Sequence, residues 1–390
     1  TGLSGGAVAT NQEVVVSFDR MNKILDFCDK DKIIKCQSGL ITKDLQDFAI
    51  SNNLFYPVDF ASSGSSQIGG NIATNAGGIR VIRYGNTRNW IAGLKIVTGE
   101  GKILDLNSGL IKNATGYDLR HLFIGSEGTL GLTCEAEISL TKPQASQRVM
   151  LLGVEEVKNL TKILEIFSSK ITLSAFEFFS DLCLDKVKNK QEINAPFEEK
   201  FNFYALIEFD EIEMEEASKA FTYCLSQKLI SDGILTTNET QSKKIWLLRE
   251  SISESLSIYK PYKNDLSVKV NLVPEFLEEV DNYVLGNFPE FEVCWYGHIG
   301  DGNLHLNILK PENLSIEDFN EYGHTMSPKI FNIIKKKKGS ISAEHGVGIL
   351  KRDFLEYSRS ASEIDYMISL KQVFDPHQIL NPGKLLRAKI

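Results

Sequence analysis

The sequence predicts an α+β protein of two or three domains. The chain has 390 residues, more than one ordinary domain holds. Short β-branched runs and helical spacings mix within its first third, which favours α+β over all-α. From about residue 150 to 290 strand and helix alternate, with no phosphate-binding fingerprint after any strand. Hydrophobic residues make up 42% and charged residues 24%, the balance of a globular protein with a real core, which excludes a disordered or collagen-like chain.

In chain order, Val14–Val16, Ile33–Ile34 and Leu94–Val97 are expected as short strands. Lys43 to Asn52 is expected as a helix from the spacing of Leu45, Phe48 and Ala49. A strand near Ala136–Leu140 closes the first region, with Pro143 at its boundary. Leu151–Val154 is a strand and Val157–Phe167 an amphipathic helix. Ala175–Phe179 is a strand, followed by a helix, the strand Phe203–Phe209 and a helix from about Glu213 to Leu229. Lys335–Lys338, just before Gly339, reads as a solvated last helical turn. The expected division is 1–142, 143–370 and a short C-terminal segment, 371–390.

The net charge of −8 argues against nucleic-acid or anionic-membrane partners. No apolar run approaches the roughly 18–20 residues that span a bilayer, and no signal peptide is visible. Six cysteines without any CxxC pair suggest buried reduced thiols in a cytosolic or matrix-like compartment.

Three glycine-rich stretches carry the first chemical signal. Thr1–Gly6 contains Gly2, Leu3, Ser4, Gly5 and Gly6, a density that lets backbone N–H groups converge on a phosphate. Gly64–Gly78 contains Ser65, Ile68, Gly69, Gly70, Thr74 and Gly77, and pairs of glycines there alternate with small and amide side chains. Gly125–Leu132 contains Gly128 and ends on Leu132. None has the strand–GxGxxG–helix arrangement, which argues against a Rossmann fold, and no GxxxxGK[ST] is present.

The second signal is His298-Ile299-Gly300-Asp301-Gly302-Asn303-Leu304-His305-Leu306-Asn307. Gly-Asp-Gly-Asn is strong turn chemistry. With Gly300–Asn303 as a four-residue loop, His298 and His305 stand directly opposite each other, and Asn307 shares their face. Two imidazoles at that distance begin a metal site. Ser342-Ala343-Glu344-His345-Gly346-Val347-Gly348 adds a carboxylate and a third imidazole. A His₂Glu set leaves zinc an open position and would also accept manganese or cobalt. His345 beside it suits proton transfer near neutral pH. Adjacent residues serve one site only if the chain turns there, which Gly346 and Gly348 permit. Finally, Arg249 and Ser253, at i and i+4, with Lys263 further on, would form a carboxylate clamp; by spacing alone Arg249 is a surface residue on a solvated helix.

Together these motifs resemble the FAD-linked 2-hydroxyacid dehydrogenases of the vanillyl-alcohol-oxidase type, closest to their D-2-hydroxyglutarate dehydrogenase branch. The glycine motif at 1–6, GGNIATNAGGIRVIRYGN, NATGYDLRHLFIGSEGTLGL, SAFEF, GHIGDGNLHLN, SAEHGVG and ILNPGK match in order along essentially the whole chain. The resemblance implies an FAD-binding domain whose glycine loops hold the pyrophosphate, a substrate-binding cap, and a C-terminal return that brings Asn381 near the flavin. It implies His298, His305 and Glu344 as metal ligands and His345 as catalytic base, with Arg249, Ser253, Lys263 and Asn307 contacting substrate carboxylates. The implied reaction is oxidation of a D-2-hydroxy acid, D-2-hydroxyglutarate first, with an electron-transfer flavoprotein as candidate electron acceptor. D-lactate or glycolate oxidation on the same scaffold is the alternative. Outside this class stand a zinc-dependent hydrolase using His345 and a non-catalytic zinc-binding remnant.

Residue 1 falls inside the pyrophosphate loop, so a protein of only these residues is expected to bind FAD poorly. Ser253 stands where the family has Thr, and Lys269 where a Pro usually follows DLSV. His121 is the only histidine before residue 298 and lies outside the glycine loops, so the flavin is expected to be non-covalent unless a region before residue 1 supplies a ligand.

Overall fold

The computed structural model describes residues 1–10, 12–191 and 194–387. The chain forms two compact units, one of Thr1–Gln144 with Glu344–Ile390 and one of Ala145–Ala343.

The first unit holds a five-stranded antiparallel sheet. Its strands are β1 (Ile24–Cys28), β2 (Ile33–Gln37), β3 (Ile91–Val97), β4 (Ile103–Leu106) and β5 (Leu132–Ser139), in the order β1-β2-β5-β3-β4. Ile34, Cys36, Leu94, Ile96, Ala136 and Ile138 alternate inward from its central strands, and Leu45, Ala49, Ile68 and Ile72 cover them from two helices. Val14–Val16 is not a strand. Val14 is 92% exposed, and β-branching alone does not hold an extended segment that has no partner or buried face.

The second unit is built on a seven-stranded antiparallel sheet. It comprises β6 (Gln147–Val154), β7 (Leu173–Ser180), β8 (Phe203–Asp210), β9 (Asp232–Leu235), β10 (Tyr262–Ser267), β11 (Glu292–Gly297) and β12 (Asn303–Leu309), ordered β10-β12-β11-β7-β8-β6-β9. Directly paired residues share a face. Lys263 pairs with Asn307, Asp265 with His305, Cys294 with Asn307, Tyr296 with His305, and Tyr296 with Phe179. One face therefore carries Lys263, Asp265, Glu177, Phe179, Tyr296, His305 and Asn307 across four strands. Helix Glu239–Glu250 reaches toward it, with Trp246 donating to Glu208 (2.8 Å) and Arg249 meeting Glu177. The opposite parity faces helix Val273–Asn287, where the Trp295 indole donates to Asp281 at 2.7 Å.

Two local expectations change. The segment 344–370 belongs with the first unit rather than with 143–343, because its backbone hydrogen-bonds to Ser4 and Glu127. Helix Ile316–Lys336 ends near Gly339 as expected, but the side chain of Lys337 is only 7% exposed and pairs with Glu275 and Glu279. Among the described residues no helix is long and apolar enough to cross a membrane.

Lys269 has a geometric explanation. Its φ of −57° and ψ of 139° are those of proline, and its N–H makes no hydrogen bond among the described residues. Lys269→Pro should therefore raise stability by about 0.4–1 kcal/mol through loss of unfolded-state entropy, read as a higher midpoint of thermal or urea denaturation.

Candidate active site

In the first unit the three glycine stretches and the return segment are tied to one another. Helix Ile68–Thr74 packs Ile68 and Ile72 into the core. The amides of Ile68 and Gly69 donate to Leu40 and Ser38 carbonyls (2.9 and 2.7 Å), so these two positions anchor the loop instead of offering N–H groups to a phosphate. Thr74 Oγ1 donates back to Gly70, and Ser65 lies in the exposed turn before the helix. The amides of Gly125 and Glu127 donate to Ile72 and Ala73, which docks the third stretch on that helix. Gly128 follows with φ +69°, and Leu132 opens β5.

Glu127 is the centre of this region. It is 8% exposed, and its carboxylate accepts the amides of Val347 and Gly348 at 2.7 Å each. Burial pushes its pKa up, and those two hydrogen bonds oppose the shift. Ser4 donates to the carbonyls of His345 and Gly346 (3.0 and 2.8 Å) and accepts from Ile349. Asn381 Nδ2 donates to the carbonyls of Gly6 and Glu127 (2.8 and 2.7 Å). Gly348, at φ +53°, brings its Cα so close that a Cβ would lie 2.0 Å from the Ser4 carbonyl oxygen. Gly2, Leu3 and Gly5 belong to the same loop, and around Gly2 and Gly70 the space a Cβ would take is open, as a cradle for a bound group requires. Gly77 lies beside the Glu344 carboxylate, 3.4 Å from where its own Cβ would be. The chain does turn after Glu344: Gly346 has φ +76°, and His345 Nε2 is 3.5 Å from Glu344 Oε1.

In the second unit the hairpin differs from its expected register. His305 pairs with Tyr296, and β11 ends at Gly297, so His298 lies in the turn and not opposite His305. Gly297 takes φ +157°, a Cβ there would lie 2.4 Å from the Asn303 carbonyl oxygen, and Tyr296 and Gly297 pair with Phe179 and Phe178 of β7. The turn leans toward β7, where Gly300 donates to Phe176. The slip preserves the face, so His298 and His305 still meet, edge to face with centroids 5.3 Å apart.

Behind them lies a residue the sequence reading did not single out. Glu177 is fully buried on β7, with Oε1 2.7 Å from His298 Nδ1 and Oε2 2.7 Å from Arg249 Nη2. Burial raises its pKa, His298 and Arg249 lower it, and the net direction is down, so it stays ionised. Tyr296 was missed too. Its ring is tilted against that of His305, with centroids 4.9 Å apart, and lies 4.8 Å under the Arg249 guanidinium. Burial pushes its hydroxyl up, and Arg249 and a hydrogen bond with Ser253 pull it back. Asp265 sits 3.6 Å from His305 Nδ1 and accepts from Asn303 at 2.7 Å.

Arg249 is 6% exposed, not the surface residue its spacing suggests. Its Nε and Nη2 have no aligned hydrogen-bond acceptor; the short Nη2 contact with Glu177 is an ion pair without hydrogen-bond geometry. The helix divides at Ser251, and Ser253 in the following helix Ile252–Ser257 is exposed. Asn307 is 1% exposed, and its Oδ1 has no partner; Lys263, paired with it across the sheet, is exposed.

Buried donors without acceptors cost about 1–3 kcal/mol each unless a ligand meets them. In the second unit the His298 and His305 imidazoles are donors that suit a divalent first-row ion, and in the first unit the linked glycine loops fit a phosphate-bearing cofactor.

Comparison with known proteins identifies the cofactor as FAD. Residues 1–107 match the FAD binding domain family, and residues 143–385 match the C-terminal domain of FAD-linked oxidases. A D-2-hydroxyglutarate dehydrogenase of Stutzerimonas stutzeri is 54% identical over 100% of this chain and 84% of its own length. One from Xanthomonas citri is 48% identical over 99% of this chain and 82% of its own. A solved alkyldihydroxyacetonephosphate synthase shares the fold, with TM-score 0.67 and 19% identity over 93% of this chain; the chain spans 66% of it.

Glu127→Ala should destabilise the first unit by about 2 kcal/mol, because the Val347 and Gly348 amides lose a charged acceptor. Glu127→Gln, which keeps one acceptor oxygen, should lose roughly half of that. Denaturation followed by circular dichroism reads both.

Proposed function

The chain belongs to the FAD-linked oxidases, with a vanillyl-alcohol-oxidase-type FAD-binding domain, and from that premise we propose that it oxidises D-2-hydroxyglutarate to the corresponding 2-oxo acid. The observation that carries the choice of substrate is Arg249: a buried guanidinium with two donors lacking aligned acceptors matches a second carboxylate on the substrate. D-Lactate and glycolate have no such group and would leave those donors unmatched, which disfavours them. A hydrolase would have no use for an FAD-binding domain.

FAD, when bound, supplies the acceptor for the hydride leaving substrate C2. We propose His298, His305 and Glu344 as the ligands of a divalent ion, which would supply Lewis-acid polarisation of the substrate's C1 carboxylate and hydroxyl. Zinc suits the donor set, and manganese or cobalt would suit it too.

The remaining tasks fall to side chains of the chain. His345 accepts the hydroxyl proton as the C2–H bond breaks and the carbonyl forms. Arg249 fixes the distal carboxylate, Lys263 adds positive charge beside it, and Ser253 and Asn307 complete the polar contacts. The loops at Gly2–Gly6, Ser65–Gly77 and Gly128–Leu132 would hold the cofactor, and Asn381, which donates to the carbonyls of Gly6 and Glu127, is proposed to lie near the flavin. His121 is engaged by Asp118 and Arg88 outside those loops, so we propose that it forms no bond to the flavin. The electrons then pass to an acceptor, for which we propose an electron-transfer flavoprotein. Six free cysteines suit a reducing compartment, bacterial cytoplasm or mitochondrial matrix.

Arg249→Ala separates the substrates. Losing a charge-assisted hydrogen bond in a desolvated pocket costs roughly 1.5–3 kcal/mol, about 10–150-fold in kcat/KM for D-2-hydroxyglutarate. D-Lactate oxidation should fall much less, and this comparison cancels general damage to folding or flavin binding. Equal losses on both substrates would remove the distal-carboxylate role.

A further inference from the structure

We infer that Glu177 is a positioning residue shared by the metal group and the carboxylate clamp, fixing the His298 imidazole with one oxygen and the Arg249 guanidinium with the other. The inference rests on the metal reading proposed above and goes beyond it, since Glu177 is neither a ligand nor a substrate contact there.

An acidic side chain in the middle of a strand buried along its whole length needs a compensating partner. Glu177 has two, on different elements: His298 from the turn after β11 and Arg249 from the last turn of helix Glu239–Glu250. Its Oε1 accepts from His298 Nδ1, which selects the tautomer whose Nε2 carries the lone pair toward an ion. Its Oε2 holds the guanidinium over the Tyr296 ring. That contact lacks hydrogen-bond alignment, so the Arg249 donors stay directed elsewhere while the charge is neutralised. Without a counter-charge a buried Arg249 would be too costly to keep in place.

Glu177→Gln keeps the shape and removes the charge. Zinc affinity of the flavin-loaded protein, measured by competition with a chromophoric chelator, should fall 10–100-fold, the usual cost of losing a carboxylate behind a ligating histidine. The same variant should raise KM for D-2-hydroxyglutarate more than for D-lactate, because Arg249 loses its brace. Glu177→Asp, a charge on a shorter stem, should recover part of the zinc affinity. A folded Glu177→Gln protein with wild-type zinc affinity would overturn the inference while leaving the metal reading intact. A wild-type protein that binds no zinc would overturn both. Should Glu177→Gln fail to fold, the wild type still decides. Nitrogen NMR of ¹⁵N-histidine protein, with His298 assigned by its loss in His298→Gln, should show Nδ1–H; an Nε2–H tautomer in the zinc-free protein would refute the role.

Discussion

The period-two alternation of an antiparallel sheet is the constraint on which the second unit's chemistry depends. Four neighbouring strands, β10, β12, β11 and β7, present Lys263, Asp265, Asn307, His305, Tyr296 and Glu177 on one face. A one-residue slip in any pairing would send that strand's contribution into the opposite, apolar layer. The slip that does occur at the hairpin spans an even number of positions, which is why His298 reaches His305 despite leaving the ladder. Helix Glu239–Glu250 completes the arrangement by lowering Arg249 onto Glu177 from above the same face.

In the first unit a different constraint acts. Glycine-rich loops are weak structures by themselves, since backbone entropy opposes any single arrangement. Here Glu127 and Asn381 link stretches far apart in sequence through backbone hydrogen bonds. Glu127 is buried at the cost of a raised pKa, and two amides from the return segment offset that cost. Glu344 and His345 leave this same segment immediately before those amides, so the loops that suit a cofactor also fix the start of the residues that suit proton transfer.

Much of this was legible in the sequence, for physical reasons that differ by element. Helix Thr42–Ser51 and strands β6 to β8 follow from periodicity because each buries one face or both. Val14–Val16 misled because β-branching describes fit to a sheet and not the presence of one. The hairpin's turn was evident from Gly-Asp-Gly-Asn, but its register was set by β7, a strand more than a hundred residues earlier. Arg249 looked like a solvated helix residue because its buried partner, Glu177, lies on a strand about 70 residues earlier. The signal for Glu177 was present nonetheless: a single carboxylate inside the apolar run Ala175–Phe179. Tyr296 gave no such signal, since an aromatic residue in a strand is ordinary core composition.

On the proposed reading, this chain oxidises a hydroxy dicarboxylate with the help of an ion held by the His298 and His305 pair. The most direct measurement is anaerobic mixing of flavin-loaded protein with D-2-hydroxyglutarate, before and after metal removal by a chelator, following the flavin's visible absorbance. The expected result is bleaching by the D enantiomer and not the L, lost on metal removal with the flavin still bound and restored by added zinc, manganese or cobalt. Equally fast bleaching by metal-depleted protein would contradict the role of the ion, and no bleaching by the metal-loaded protein would contradict the substrate.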